Sequence, residues 1–362
     1  MKGIGSLRRL FWVMMVLVPA GMFLLVVTAA AQSANPKLAA MIKKAAQEGE
    51  IVYQGPDPAT GLSTQNMLRD MSAVTKKHFG VDIRVKIDNA LSFPASTGKA
   101  LTEIKAGAPP TFDLMYQTSV SGSPLYKHGA VNRVPWLDLF PLISAKDLEW
   151  NGLALINQTM FVLPAYNTRS VKPQDVPKSW EEILDPKWKG KLGVLIYPDP
   201  WKFLSQPNAW GEEKTFAYLK RLVRLRPKLG RFPEVHQRVV SGETPLAWGQ
   251  HRERTLFHKE KRGAPLDVAG RVEPALLWVN VLFVPKGARH RNAAALVAAA
   301  MLTKEGQELQ LKYQNATSMY RPNTPAGEFA ARQKFIKPDV EFQLKEGRRL
   351  SKKVRAILVK KR

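Results

Sequence analysis

Glu50-Ile51-Val52-Tyr53-Gln54-Gly55-Pro56-Asp57-Pro58 is an apolar stretch that runs straight into a turn. Three β-prone residues in sequence, Ile51 to Tyr53, suit a buried strand, and two prolines beside glycine and aspartate stop it. Upstream, Asn35 to Gly49 places Leu38, Met41, Ile42 and Ala45 near helical spacing and ends on glycine. Downstream, Ser63 to His78 reads as a helix, Val81 to Ile87 alternates as a strand does, Thr97 to Ala106 is helical before Gly107, and Asp113 to Tyr116 is a strand. Strands and helices therefore alternate, which is the pattern of an open sheet covered by helices on both faces, an α/β fold.

The middle of the chain repeats the style. Met160 to Ala165 is extended and apolar, and Ser179-Trp180-Glu181-Glu182 has the spacing of a capping box at a helix start. Leu192 to Ile196 reads as a buried strand and Tyr197-Pro198-Asp199-Pro200 as a loop. Helices follow at Lys214 to Leu225 and Glu234 to Val240, then a short strand at Leu246 to Trp248 after Ser241-Gly242-Glu243. Leu276 to Val284 is a long apolar strand, Asn292 to Leu302 an alanine-rich buried helix, and another helix follows Thr303. The tail from Arg348 to Arg362 holds eight basic residues and no acid, yet Leu350, Val354, Ile357 and Leu358 share a helical face, so a helix docked on the body is expected rather than one lying on a membrane.

The first residues carry Lys2, Arg8 and Arg9, then run apolar from Leu10 to Val27 into Thr28-Ala29-Ala30-Ala31-Gln32. That layout is a secretory signal, residues 1–31, with cleavage expected after Ala31; a retained anchor is the alternative. The chain of 362 residues then retains enough length for two lobes of ~100–200 residues each. There is no cysteine, which excludes lipid-modified cysteine, disulfides and thiolate metal sites. A soluble periplasmic protein is expected. The formal charge is +25, and without the three basic residues of the signal it is +22, which favours anionic partners. Export argues against nucleic acid as that partner.

Catalytic signatures fail where they are sought. Phe93 stands where a phosphate loop ending at Gly98-Lys99 needs glycine, and Ala100 follows in place of Ser or Thr. Histidines 78, 128, 236, 251, 258 and 290 form no pair at zinc-helix spacing, and no Gly-x-Ser-x-Gly elbow exists. No cofactor, no resident metal and no enzyme activity are expected.

Four stretches resemble the periplasmic solute-binding proteins of ABC importers, in the subgroup that includes iron(III)-binding proteins. They are Glu48 to Tyr53, Gly107 to Leu114, Val176 to Lys191 with its Ser179-Trp180-Glu181-Glu182 core, and Val284-Pro285-Lys286-Gly287-Ala288 with Leu302 to Gln307. The resemblance implies a type 2 periplasmic-binding fold: two lobes with two open mixed sheets flanked by helices, joined by two crossing strands near 155–165 and 276–282. It implies lobe 1 from 32–158 plus 280–320 and lobe 2 from 159–279 plus 321–362, a ligand cleft between them, closure by hinge motion, and delivery of a small solute to an inner-membrane ABC permease by a monomer. The iron-binding relatives use adjacent tyrosines after the glycine-glutamate turn. Here Trp248-Gly249-Gln250-His251 follows Ser241-Gly242-Glu243, and none of the eight tyrosines has a tyrosine neighbour, so an organic or anionic ligand is favoured over ferric ion.

In open α/β sheets ligands sit beyond the carboxyl ends of strands. That rule selects Gln54 and Asp57 after the first strand, then Gln117, Thr118 and Ser119, then Tyr197 and Asp199, then Trp248, Gln250 and Arg252, with Tyr166 at the crossing as hinge or cleft. An enzyme on this scaffold would draw on Asp57, Asp199 and His251.

Overall fold

The computed structural model describes residues 35–56 and 63–359. The segment expected to be a secretory signal, Asp57 and the last three basic residues lie outside the described residues.

Helix α1 (Pro36–Glu48) begins behind Asn35, whose side chain accepts the N–H groups of Lys37 and Leu38, and stops at Gly49 with φ +65°. Proline in the first turn and a left-handed glycine after the last explain both ends. Next come β1 (Glu50–Gln54), α2 (Thr64–Phe79), β2 (Arg84–Asp88), α3 (Phe93–Lys105) and β3 (Leu114–Thr118). Two short helices, α4 (Ser123–Lys127) and α5 (Trp136–Leu139), lead to β4 (Leu148–Glu149) and the 14-residue β5 (Ala154–Asn167). The alternation resumes through β6 (Leu192–Leu195), α6 (Asp199–Leu204), α7 (Gly211–Arg224), β7 (Lys228–Gly230), α8 (Phe232–Ser241), β8 (Leu246–His251), α9 (Arg252–Arg262) and β9 (Leu266–Val268). The chain closes with β10 (Ala275–Phe283), α10 (Arg291–Ala300), α11 (Lys304–Gln314), α12 (Pro325–Ala330), β11 (Phe335–Ile336) and α13 (Val340–Leu358).

The strand order is β2-β1-β3-β10-β5-β8-β6-β7. Strands β2, β1 and β3 pair in parallel at one end, and β8, β6 and β7 do so at the other. Between them β10 and β5 run antiparallel to each other and to their outer neighbours. Where two sheets linked by crossing strands were expected, the ladder is continuous over 11 strands. The reason is the length of β5, which pairs with β4 and β10 near its start and with β8 and β9 near its end.

The core divides into two large apolar clusters and a smaller third. Leu38, Ile51, Tyr53, Met67, Met71 and the run Ala293 to Leu302 form the first. A second cluster runs from Phe112 and Met115 through Phe161 and Leu276 of the crossing strands to Trp180, Trp201, Leu219 and Trp248. Helix α13 lies against α6 and α7 and buries Leu350, Val354 and Leu358, the docked arrangement expected of the tail. Its cations are engaged too: Arg349 donates to Glu212 at 2.6 Å, and Lys353 pairs with the same carboxylate.

Three local expectations change. Asp199 opens helix α6 rather than sitting in a loop, because Pro200 falls in the first turn, where the missing N–H costs nothing. Strand β8 continues past Trp248 to His251. Ser179 and Glu182 do pair, with Glu182 N–H donating to Ser179 Oγ at 3.3 Å, but Glu182 takes the Lys178 N–H at 3.0 Å and the helix is a four-residue 3₁₀ turn, Glu181–Leu184.

Candidate functional site

The carboxyl ends of β6, β7 and β8 bring Leu195, Gly230 and His251 to one edge of the sheet. The residues just past them fold over this edge. Phe232 and Pro233 arrive on the first turn of α8, fixed by Glu234, whose carboxylate accepts the Arg231 N–H at 3.0 Å. Tyr197 and Pro200 arrive on the approach to α6, and Arg254 on the first turn of α9. Val162 and Trp278 come from the crossing strands. With Leu195, Gly249 and His251, these residues line a cavity of about 210 Å³.

The walls are aromatic. Phe232 stacks on His251 with ring centres 5.6 Å apart, His251 lies 5.4 Å from Trp278, and the Arg254 guanidinium sits 5.3 Å over Phe232. Tyr197 is 39% exposed, one of three large apolar side chains left exposed among the described residues, and it stands on the cavity rim.

A β-bulge shapes this edge. Leu163 pairs with Gln250 and Ala165 with Ala247, so β8 carries one extra residue, and Gly249 takes φ +92°. A Cβ there would lie 3.1 Å from Leu195 Cδ1. Glycine is therefore required twice, by backbone angle and by space, and the bulge re-aims the side chains beyond it. Trp248 before it stays in the core and His251 after it lines the cavity.

Positive charge dominates here. Burial and the Arg254 charge push the His251 imidazole down to about 3. Burial, His258, Arg254 and Arg262 bring His236 down to about 4, against the opposing pull of the nearby Gln250 amide, and burial with Arg262 and Arg254 lowers His258 as well. The rings of His236 and His258 are 4.3 Å apart. At neutral pH His251 and His236 are uncharged, and among the described residues Arg254 is the one charged side chain that lines the cavity. Among the described residues no group of three or more His, Cys, Asp or Glu side chains could hold a metal ion.

Among the described residues the opposite edge, at the carboxyl ends of β1 and β3, is neutral and polar. Gln117 Nε2 donates to Gln54 Oε1 at 2.6 Å and to Ser96 Oγ at 2.9 Å. Thr118 Oγ1 accepts the Ser121 N–H, and the Ser119 carbonyl accepts Trp150 Nε1–H. The Ser119 hydroxyl and Gln117 Oε1 are buried without a hydrogen-bond partner. The register sets the two edges apart. Thr118 faces Asn280 on β10, and His251 faces Val162, which faces Leu276. Four residues of β10 span about 13 Å, with Trp278 midway. Arg254 bridges this span electrically, since its charge lowers the affinity of the buried Tyr116 phenol for its proton, although burial still leaves that phenol well above the usual range.

The structure thus brings Gln54, Gln117, Thr118 and Ser119 together on one edge and puts Tyr197 on the other. It removes several expected ligands. Trp248 is 2% exposed and packs 5.0 Å from Trp180 and 5.1 Å from Trp201, so its ring is core. Gln250 is buried behind the cavity beside His236. Arg252 turns away to stack over Phe329 at 4.3 Å and to pair with Glu253 at 3.3 Å. Asp199 is held by Lys202 Nζ at 2.6 Å within α6. Tyr166 pairs with Leu246 and Asp267, at the far end of β8 from His251. Sequence reasoning misses Phe232, Arg254 and Trp278. The extension of β8 by three residues, which carries the chain on into α9, is the signal that could have found Arg254.

Fold and cavity together define an α/β binding protein with two parallel half-sheets facing each other across antiparallel crossing strands. The profile of the bacterial extracellular solute-binding proteins matches residues 71–337, and the chain belongs to that family. An uncharacterized protein of Haemophilus influenzae is 32% identical over 154 residues, 38% of this chain and 41% of that one, so the match spans about two fifths of the relative's length. Three solved structures share the fold. Iron-bound HitA from Pseudomonas aeruginosa superposes with a TM-score of 0.65 at 20% identity, covering 84% of this chain and 98% of that one. MotA from A. tumefaciens B6 in complex with glucopine gives 0.63 at 17% identity, covering 85% and 99%. AfuA from Actinobacillus pleuropneumoniae with fructose-6-phosphate gives 0.62 at 23% identity, covering 84% and 97%. Among the described residues no helix is long and apolar enough to cross a membrane.

Proposed function

We propose that this protein is a periplasmic receptor that captures a small organic or anionic solute between two lobes and passes it unaltered to an ABC permease, without catalysis and as a monomer. One observation carries the reading: a cavity at the carboxyl ends of three parallel strands lies about 13 Å along β10 from a cluster of buried, partly unsatisfied polar groups at the carboxyl ends of two others. Ligands of open α/β sheets sit at this position. Residues 32–158 with 280–320 form lobe 1, supported by the packing of α11 on α2. Residues 159–279 with 321–362 form lobe 2, supported by the packing of α13 on α6 and α7. The crossing strands β5 and β10 serve as the hinge, and closure on a solute creates the shape that a membrane partner recognises.

Catalysis finds little support. Asp199 is committed to Lys202, and among the described residues the cavity lining holds no carboxylate to work with His251. Ferric ion finds little either, because among the described residues Tyr197 is the one phenol on the lining.

A thermal-shift screen of residues 32–362 against small metabolites tests the reading. A solute that binds the folded state raises the midpoint with concentration, by roughly 2.7 kcal/mol of stability at a hundredfold excess over Kd. Selective stabilisation with the compound recovered intact is expected. A library-wide absence of shifts, or chemical turnover of a bound compound, would overturn the proposal.

A further inference from the structure

We infer that the groove between α7 and α13, at the amino ends of β6 and β7, docks the protein on a lipid bilayer that carries anionic headgroups. The inference does not depend on what the cavity at the carboxyl ends of those strands holds.

Position comes first. Helix α7 ends at Arg224 and the chain turns through Leu225, Arg226 and Pro227 into β7, so its last turn lies at the amino end of that strand. Lys191 leads into β6 beside it, where the Gly190 N–H donates to the Leu225 carbonyl at 2.8 Å. Helix α13 packs on α7 and ends at Leu358. Between them lies an open groove of about 880 Å³, with Pro227, Leu229, Ile357 and Leu358 in its lining. Val359 on the same lining is 60% exposed, more than any other large apolar side chain among the described residues.

Charge comes next. Lys220, Arg224 and Lys353 line the groove, and among the described residues no acid does. Exposed Lys189, Lys191 and Arg226 flank it on the loops at the same end. The neighbouring acids are already taken: Glu181 pairs with Arg221 at 2.6 Å, Glu243 with Lys228 at 3.1 Å, and Glu212 with both Arg349 and Lys353. Five cations, Lys189, Lys191, Lys220, Arg224 and Arg226, are left without an acid among the described residues. Beyond Val359 the chain adds Lys360, Lys361 and Arg362.

Unpaired like charges repel one another, and a polyanionic surface relieves that cost. An anionic bilayer strengthens binding by about fivefold for each Lys or Arg brought near it. Long side chains spread over a helix and two loops form no fixed fork for a single phosphate or carboxylate, which suits a fluid layer of headgroups better than one folded partner. The apolar lining and Val359 supply the second component of interfacial binding, contact with the boundary between headgroups and acyl chains. With this end on the bilayer, the cavity at the other ends of the same strands stays clear of it.

The test is co-sedimentation of residues 32–362 with lipid vesicles. Residues 1–31 are left off because their apolar run would enter any bilayer. Vesicles of equal parts phosphatidylcholine and phosphatidylglycerol are compared with phosphatidylcholine alone. Partition at least tenfold stronger onto the anionic vesicles is expected at ~0.05 M salt, with release at ~0.5 M salt. Lys191→Gln, Lys220→Gln and Arg224→Gln combined should lower that partition at least tenfold. Lys37→Gln, Lys43→Gln and Lys44→Gln combined remove the same charge from exposed positions on α1 and should lower it less than twofold. The two lipid compositions and the single variant Arg224→Glu keep the proposal falsifiable if the groove variant does not fold. Equal partition onto both compositions, or equal losses from the groove and α1 variants, overturns it. Binding of soluble polyglutamate with no affinity for anionic vesicles overturns it in favour of an acidic protein partner.

Discussion

The two edges that face each other across the crossing strands are built from the same topology and opposite chemistry. Beyond β6, β7 and β8 stand rings and a guanidinium. Beyond β1 and β3 stand amides and hydroxyls already bonded to one another, as Gln117 is to Gln54 and Ser96. One edge supplies apolar area and charge, while the other supplies neutral hydrogen bonds and two atoms still in want of a partner. Fold alone therefore does not set the ligand. It places strand ends, and the residues just past each end decide what is held.

The largest expected effect separates core from cavity on the aromatic edge. Trp248→Ala opens a void beside Trp180 and Trp201 and should cost about 3–5 kcal/mol in denaturant unfolding, with solute affinity of the folded fraction unchanged. Affinity lost without stability would return Trp248 to the site. Acidification comes next. His236 falls to about 4 when folded against an ordinary 6.5, so the unfolded chain takes up a proton that the folded chain refuses. Its contribution is intact above pH 6.5 and is lost as pH falls towards 4, up to about 3 kcal/mol. Glu253 opposes this between 6 and 4.5, because burial raises its carboxyl to about 6 and acidification relieves the cost of burying its charge. Comparing the parent with His236→Gln isolates the histidine: the parent should lose midpoint relative to the variant across pH 6.5 to 4, and parallel curves would refute the assignment. Gly249→Ala should cost about 1–2 kcal/mol and weaken solute binding, because alanine is strained at φ +92° and its Cβ meets Leu195. The smallest effect belongs to the polar edge. Ser119→Ala removes a buried hydroxyl with no partner in the fold, so stability should stay within about 0.5 kcal/mol and affinity should fall less than tenfold. A larger affinity loss would make the two edges equal partners.

Most of the fold was legible because it is carried by local signals. Gly49, the Gly55-Pro56 turn and the alternation from Glu50 to Tyr116 mark the strands and helices that the structure contains. The crossing strands were legible as two apolar runs, and they lie at Ala154–Asn167 and Ala275–Phe283. The site was legible only by address. The strand-end rule pointed to the edges where Tyr197 and the Gln54, Gln117, Thr118 and Ser119 cluster lie, yet it stopped β8 at Trp248 and so counted a core ring among the ligand contacts. The cause is the bulge: a left-handed Gly249 adds a residue, so simple alternation does not carry across it. Phe232 and Trp278 were hidden for another reason. An aromatic residue at a helix start or inside an apolar strand reads as core until the opposite half of the molecule is in place.

A crystal structure of residues 32–362 with the solute that raises the thermal midpoint most tests the central claim directly. The account predicts density between Trp278 and Phe232, with the Gln117 edge closed over it. Density elsewhere, as in the groove of about 520 Å³ between α9 and α11, with the aromatic cavity left vacant, would contradict it.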